Sequence, residues 1–338
     1  MRATVFHGPR DVRFEDHAAP RIVKPTDAVL RVSASCICGS DLWFYRGIAP
    51  VPAGTAVGHE YCGIVEEVGA SVTTVKPGQF VIGSFFASDN TCPNCLEGYQ
   101  SSCQQAEIVL GAQAPFVRVP LADGTLVPTP SDPLPERLPD LLALSDVMGT
   151  GWFGAQAANV RPGGTVVVVG DGAVGLLAVL SAQQMGAGRI IAMSGHPARA
   201  RLAREFGATE VVPERGEGGI AKIRELTDGI GADSIIECVG TKESLAQAIQ
   251  GTRPGGFVGF VGVPHGVTLD GVDLFHSHVH LHGGPAPVRK FLPDLIDRVW
   301  KGKIHPGKVF DLTLPLDQVA EGYRAMDERR AIKVFLRP

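Results

Sequence analysis

The sequence predicts an α/β protein in two parts, a small β-rich barrel and a doubly wound parallel sheet. Three observations carry this. Short β-branched runs, broken by Gly and Pro, fill residues 1–147. From residue 148 onward, apolar strands alternate with helical stretches. Residues 166–175 read VVVVGDGAVG, a strand running directly into a glycine-rich turn. A chain of 338 residues is also long for one core, so two domains are expected.

In the first part, residues 3–6, 28–35, 63–68 and 79–86 read as strands, with Pro52-Ala53-Gly54 and Lys76-Pro77-Gly78 as turns between them. This spacing suits a small barrel with long loops. In the second part, strands at 165–169, 189–193, 210–212, 232–236 and 256–261 alternate with helices at 173–185, 197–206, 216–226 and 242–250. Strands that are apolar almost throughout belong to a sheet covered on both faces. Beyond residue 287 come a helix at 289–300, a strand at 308–313, a helix at 316–326 and a strand at 331–336. That tail is short for a domain and is expected to rejoin the first part. The expected division is 1–147 completed by 288–338, with 148–287 as the nucleotide-binding domain.

The formal charge of −4, without long runs of either sign, points to no nucleic-acid or membrane partner. The most apolar stretch, 166–193, is broken by Asp171, Arg189 and several glycines, so no span is expected. The N-terminus lacks an export-type apolar core, which makes the cytoplasm the expected location. Seven cysteines, an odd number clustered in one half, favour metal sites over disulfides. Cys36, Cys62 and Cys238 read as small apolar core residues.

Gly170, Gly172, Ala173, Val174 and Gly175 form a GxGxxG turn between strand and helix. The glycines allow a tight turn, close approach of a pyrophosphate and close helix–strand packing, while the helix N-terminus offers free N–H donors. An NAD site places an acidic residue at the end of the second strand. Here that end reads Ser194-Gly195-His196-Pro197, with Arg199 following. A hydroxyl with nearby cations suits a 2′-phosphate, so NADP is favoured and NAD stays open.

Cys38, His59 and Asp146 offer a thiolate, an imidazole and a carboxylate. Each is a zinc donor, and three protein ligands leave one position open for water or substrate. An open zinc site at the domain cleft, with a dinucleotide beside it, means hydride chemistry on an alcohol or carbonyl. Asp89, Cys92, Cys95 and Cys103 offer a second donor set, spaced 3, 3 and 8.

Through Cys38-Gly39-Ser40-Asp41, Gly58-His59-Glu60, the cysteine cluster, GxGxxG and Phe206-Gly207-Ala208-Thr209, the chain resembles the zinc-dependent medium-chain alcohol dehydrogenases over essentially its full length. Members commonly carry cysteine where Asp146 stands, and aspartate is a variant of that position. The resemblance implies a GroES-like catalytic barrel joined to a Rossmann domain. It implies Cys38, His59 and Asp146 as ligands of a catalytic Zn²⁺, with Glu60 behind the metal as an alternative ligand. Zinc would lower the pKa of an alcohol, and Ser40 would relay its proton. Trp43 stands where some relatives place the histidine that passes this proton to solvent.

By the same resemblance Phe85 lines the substrate pocket with Trp43, and Thr150 packs on the nicotinamide. Val239 and Val263 join the cofactor-binding set, and Lys333 lies near the pyrophosphate. Asp89 replaces the first of four cysteines around a structural Zn²⁺, giving a Cys₃Asp site that is weaker and more acid-sensitive. The implied partners are a small alcohol, aldehyde or ketone and further copies of the chain, as a dimer or tetramer. Two other readings stay open: a zinc-free quinone or enone reductase on the same fold, and a non-catalytic NADPH-binding protein.

Overall fold

A computed structural model describes residues 1–338. The chain divides into two compact units, Met1–Gly149 with Pro287–Pro338, and Thr150–Ala286. No helix is long and apolar enough to cross a membrane.

The first unit is built on the strand Ala28–Cys36, which pairs antiparallel with Tyr61–Val68, with Phe116–Val119 and with Val334–Arg337. The last of these is the C-terminal strand, so the tail closes onto the first unit. Its companion Leu312–Pro315 runs parallel to it. Inward-facing Leu30, Val32, Val65, Val81 and Val117 form one core. A second core gathers Phe6, Ile37, Phe44, Tyr323 and Val334. The strand expected at 79–86 is two strands, Phe80–Gly83 and Phe86–Ala87. The strand expected at 308–313 begins later, because Pro306 starts a short 3₁₀ turn, Pro306–Val309.

In the second unit, six parallel strands run in the spatial order Glu210–Val212, Arg189–Met193, Thr165–Val169, Ala232–Glu237, Thr252–Phe260 and His280–Gly283. Strand order reverses beside Thr165–Val169, which is where doubly wound sheets open a ligand crevice at their carboxyl ends. Val167, Val169, Ile191, Ile235 and Val258 fill the core. The sixth strand escaped the sequence pattern. As an edge strand, only half-buried, it can carry His280 and His282 among its four residues.

Candidate active site

Cys38 follows the strand Ala28–Cys36, and its backbone N–H donates to Asp41 Oδ2 at 3.0 Å. That bond turns the chain into the helix Asp41–Tyr45. His59 sits just ahead of the strand Tyr61–Val68. The preceding Gly58 has φ +95°, and a side chain there would run into Gln113, so this turn requires glycine. Asp146 lies immediately before the helix Val147–Ala157.

Three loops thus deliver three donors to one point. The Cys38 thiol lies 3.4 Å from Asp146 Oδ2, and His59 Nε2 lies 3.3 Å from the same oxygen. With Glu60, all four ligand atoms lie within 4.8 Å of one another. Tetrahedral zinc at ordinary bond lengths separates its donors by about 3.3–3.7 Å. The two separations from Asp146 match that spacing, so the donor set suits a zinc ion. His59 Nδ1 faces Asp41 Oδ1 at 3.4 Å, which keeps the proton on that nitrogen and turns the Nε2 lone pair toward the other donors. The reading from sequence gives Asp41 no role, although it closes the Cys38–Asp41 fragment. Its position three residues after the cysteine was the available signal. The Tyr323 hydroxyl reaches Asp41 Oδ2 at 3.5 Å.

Electrostatics set the state of these groups. Burial, and after it the Asp146 carboxylate, push the Cys38 thiol up to about 11. Burial disfavours a charged His59, but Asp41 and Asp146 outweigh it and raise its pKa well above the ordinary value. Both results describe a pocket with excess negative character, which a divalent cation relieves. Glu60 Oε2, fully buried, has no hydrogen-bond partner. An orphaned carboxylate oxygen in such a pocket is a further mark of a cation site.

Lys333 has partners inside the first unit. It is fully buried, with Nζ 2.6 Å from Glu60 Oε1 and 3.1 Å from the Ile37 carbonyl. Within the first unit this lysine balances the Glu60 carboxylate. The sequence could not show this, because 273 residues separate the partners. Ser40 precedes the helix Asp41–Tyr45 and is half-buried, as is Trp43 on that helix. Phe85 meets the His59 ring edge-on, centroids 6.0 Å apart.

The second donor cluster, Asp89, Cys92, Cys95 and Cys103, also lies within 4.8 Å. Backbone N–H groups of Asp89 and Gln105 each point at Cys103 Sγ from 3.3 Å. Burial opposes the charge of Asp89, but the N–H groups of Thr91 and Cys92 outweigh it and hold the carboxyl well below its usual range. Acid sensitivity of this lobe would therefore come from its thiols. Cys95→Ser is expected to lower zinc content by one ion per chain and to lower the unfolding midpoint, read by elemental analysis and calorimetry.

In the nucleotide turn, Gly170 has φ +115°, and Gly172 caps the helix Ala173–Gln184, with open space where a side chain would stand. Ala173 and Val174 start that helix. A Cβ on Gly175 would collide with the Gly170 carbonyl oxygen. Gly175→Ala should cost about 3 kcal/mol by overpacking and weaken dinucleotide binding at least about tenfold, measured by chemical unfolding and NAD(P)H fluorescence titration. Val239 packs against Gly170, and the Val263 carbonyl lies against Gly240. Both follow the carboxyl ends of sheet strands. Thr150 is buried at the start of the second unit.

The 2′-phosphate set is arranged differently from expectation. Ser194 Oγ donates to Asp171 Oδ2 at 2.8 Å, and Arg199 Nη1 approaches Asp171 Oδ1 at 3.3 Å. His196 stands at the N-cap of the helix Pro197–Glu205, and a side chain on Gly195 would meet only the Pro213 carbonyl oxygen, at 4.0 Å. The sequence reading gives Asp171 no role beyond breaking the apolar stretch 166–193.

The fold and the donor set define a zinc-type dehydrogenase. Residues 24–131 match the family profile described as alcohol dehydrogenase GroES-like domain, and residues 173–298 the one described as zinc-binding dehydrogenase. The zinc-type alcohol dehydrogenase B of Aspergillus flavus is 35% identical over 350 residues, covering 100% of this chain and 81% of that protein. The solved alcohol dehydrogenase TADH from Thermus sp. ATN1 is 32% identical with TM-score 0.90, covering 100% of this chain and 99% of that one. A putative zinc-binding dehydrogenase from Sinorhizobium meliloti 1021, solved bound to NADP, is 25% identical with TM-score 0.84, covering 100% and 99%. The chain belongs to the zinc-dependent medium-chain dehydrogenase/reductase family.

Proposed function

We propose that the protein is a zinc-dependent alcohol dehydrogenase or carbonyl reductase that moves a hydride between a small alcohol and NADP. The observation that carries this is the convergence of the Cys38, His59 and Asp146 donors, with Asp146 3.4 Å from the thiol and 3.3 Å from the imidazole. Zinc held by them would supply a Lewis acid that stabilises negative charge on the alcohol or carbonyl oxygen. Cys38, His59 and Asp146 would hold it, and Asp41 orients His59 through Nδ1. Ser40, at the helix start beside this cluster, is the hydroxyl proposed to take the substrate proton. The half-buried Phe85 ring against His59 supplies an apolar wall for the substrate's carbon portion. The second unit carries the glycine-rich turn for the dinucleotide. The NADP bound to the S. meliloti relative supports the cofactor assignment.

A zinc-free reductase would have no use for three converging donors and an orphaned carboxylate oxygen beside them. The test joins metal stoichiometry to an alcohol, aldehyde and ketone panel assayed with NADP(H) and NAD(H). Turnover that survives complete chelation of zinc would end the proposal.

A further inference from the structure

The end of the second strand carries Ser194, which offers no charge to a ribose. Yet a carboxylate stands there. It comes from Asp171, the residue after the first glycine of the turn, whose Oδ2 accepts the Ser194 hydroxyl at 2.8 Å. Two guanidinium groups converge on the same carboxylate. Arg199 Nη1, nearly buried, lies 3.3 Å from Oδ1, and Arg215 Nη2 lies 3.8 Å from Oδ2. Arg215 precedes the helix Gly216–Leu226, after the third strand of the βα series, and its side chain is 51% exposed. Space next to this cluster is open at Gly172 and at Gly195.

We infer that Asp171 and Arg215 together set the choice between NADP and NAD. The inference rests on the dinucleotide reading above and adds residues to it. A carboxylate at this edge of the sheet accepts ribose hydroxyls, the task that an acidic residue at the strand end performs in NAD sites. Two guanidiniums beside it are suited to a 2′-phosphate. With both present, Asp171 competes with the phosphate for the arginines and repels it, while it supports the unphosphorylated ribose. The wild-type site thus takes both cofactors, and NADP is favoured only modestly.

The experiment measures kcat/KM for NADP and NAD with one alcohol substrate, and Kd for NADPH and NADH by fluorescence, in wild type, Asp171→Asn and Arg215→Gln. Asparagine keeps the shape and the Ser194 contact but ends the repulsion. The ratio of NADP to NAD efficiency should rise about tenfold or more in Asp171→Asn. It should fall about tenfold in Arg215→Gln, whose half-exposed side chain can be replaced without disturbing the fold. Ratios within twofold of wild type in both variants, or a fall in Asp171→Asn, overturn the inference. If wild type binds both dinucleotides while the ratios stay fixed, only the inference fails. If wild type binds neither, the proposed function fails with it.

Discussion

Asp146→Ala and Cys38→Ser are each expected to reduce alcohol turnover by at least about 10³-fold while cooperative unfolding is kept. The size follows from what a metal does to an oxygen acid: zinc lowers the pKa of bound water to about 7, and an alcohol without it stays protonated at neutral pH. Asp146 is the hub of the cluster, 3.4 Å from the Cys38 thiol and 3.3 Å from His59 Nε2. Its loss removes the donor that the other two face. Both side chains are buried but lie outside the apolar clusters of the first unit, so unfolding should shift little. Metal content should fall with activity, and elemental analysis reads it directly. A variant that loses zinc yet keeps its rate would show that the cluster is not catalytic.

The pH dependence has a definite sign. A thiol whose pKa stands near 11 without metal must give up its proton on binding, so metal affinity falls as pH falls. Activity lost on acidification should therefore return when zinc is added in excess, and activity lost through unfolding should not.

Much of this site was legible in the sequence because its parts lie in short fragments with chemical content. Cys38, His59 and Asp146 could be named from residue type and loop context, and Gly170 to Gly175 from a strand followed by glycines. Five of the six parallel strands were visible as apolar runs, since strands buried on both faces leave a continuous pattern. The sixth, His280–Gly283, is an edge strand with polar residues and leaves none. What stayed hidden depends on contacts across the chain. The reach of Asp171 to Ser194 spans 23 residues, and the approach of Arg215 to the same carboxylate adds another βα unit. No local pattern announces either one. Lys333 shows the same limit more sharply, because a lysine in a C-terminal strand reads as a surface or cofactor cation until Glu60 is seen against it.

Lys333→Met should destabilise the metal-free protein by about 3–5 kcal/mol, the range for leaving one member of a buried ion pair without its partner. Both side chains are fully shielded, 1% and 0% exposed, and the contact is 2.6 Å. Burial opposes the lysine charge, but Cys36 and Glu60 outweigh it and raise its pKa well above the ordinary value. A raised lysine pKa means that the contribution is fully present below about pH 10.4 and is lost only as pH rises past the folded value. The lysine's own titration thus adds no pH dependence near neutrality, but burial already raises the Glu60 pKa, so the loss in Lys333→Met should grow as pH rises and the stranded carboxyl gives up its proton. It should shrink when zinc is present, because the stranded Glu60 carboxylate then has a second cation near it, and its Oε2 is already unpartnered. Adding Glu60→Gln to Lys333→Met removes the stranded charge and should recover most of the stability, a coupling that only a direct pair produces. Chemical unfolding of the four forms, with zinc and with chelator, measures all of this. A single Lys333→Met variant within about 1 kcal/mol of wild type would mean that the pair does not hold Glu60 in its charged form, and that the carboxyl is protonated in the resting protein.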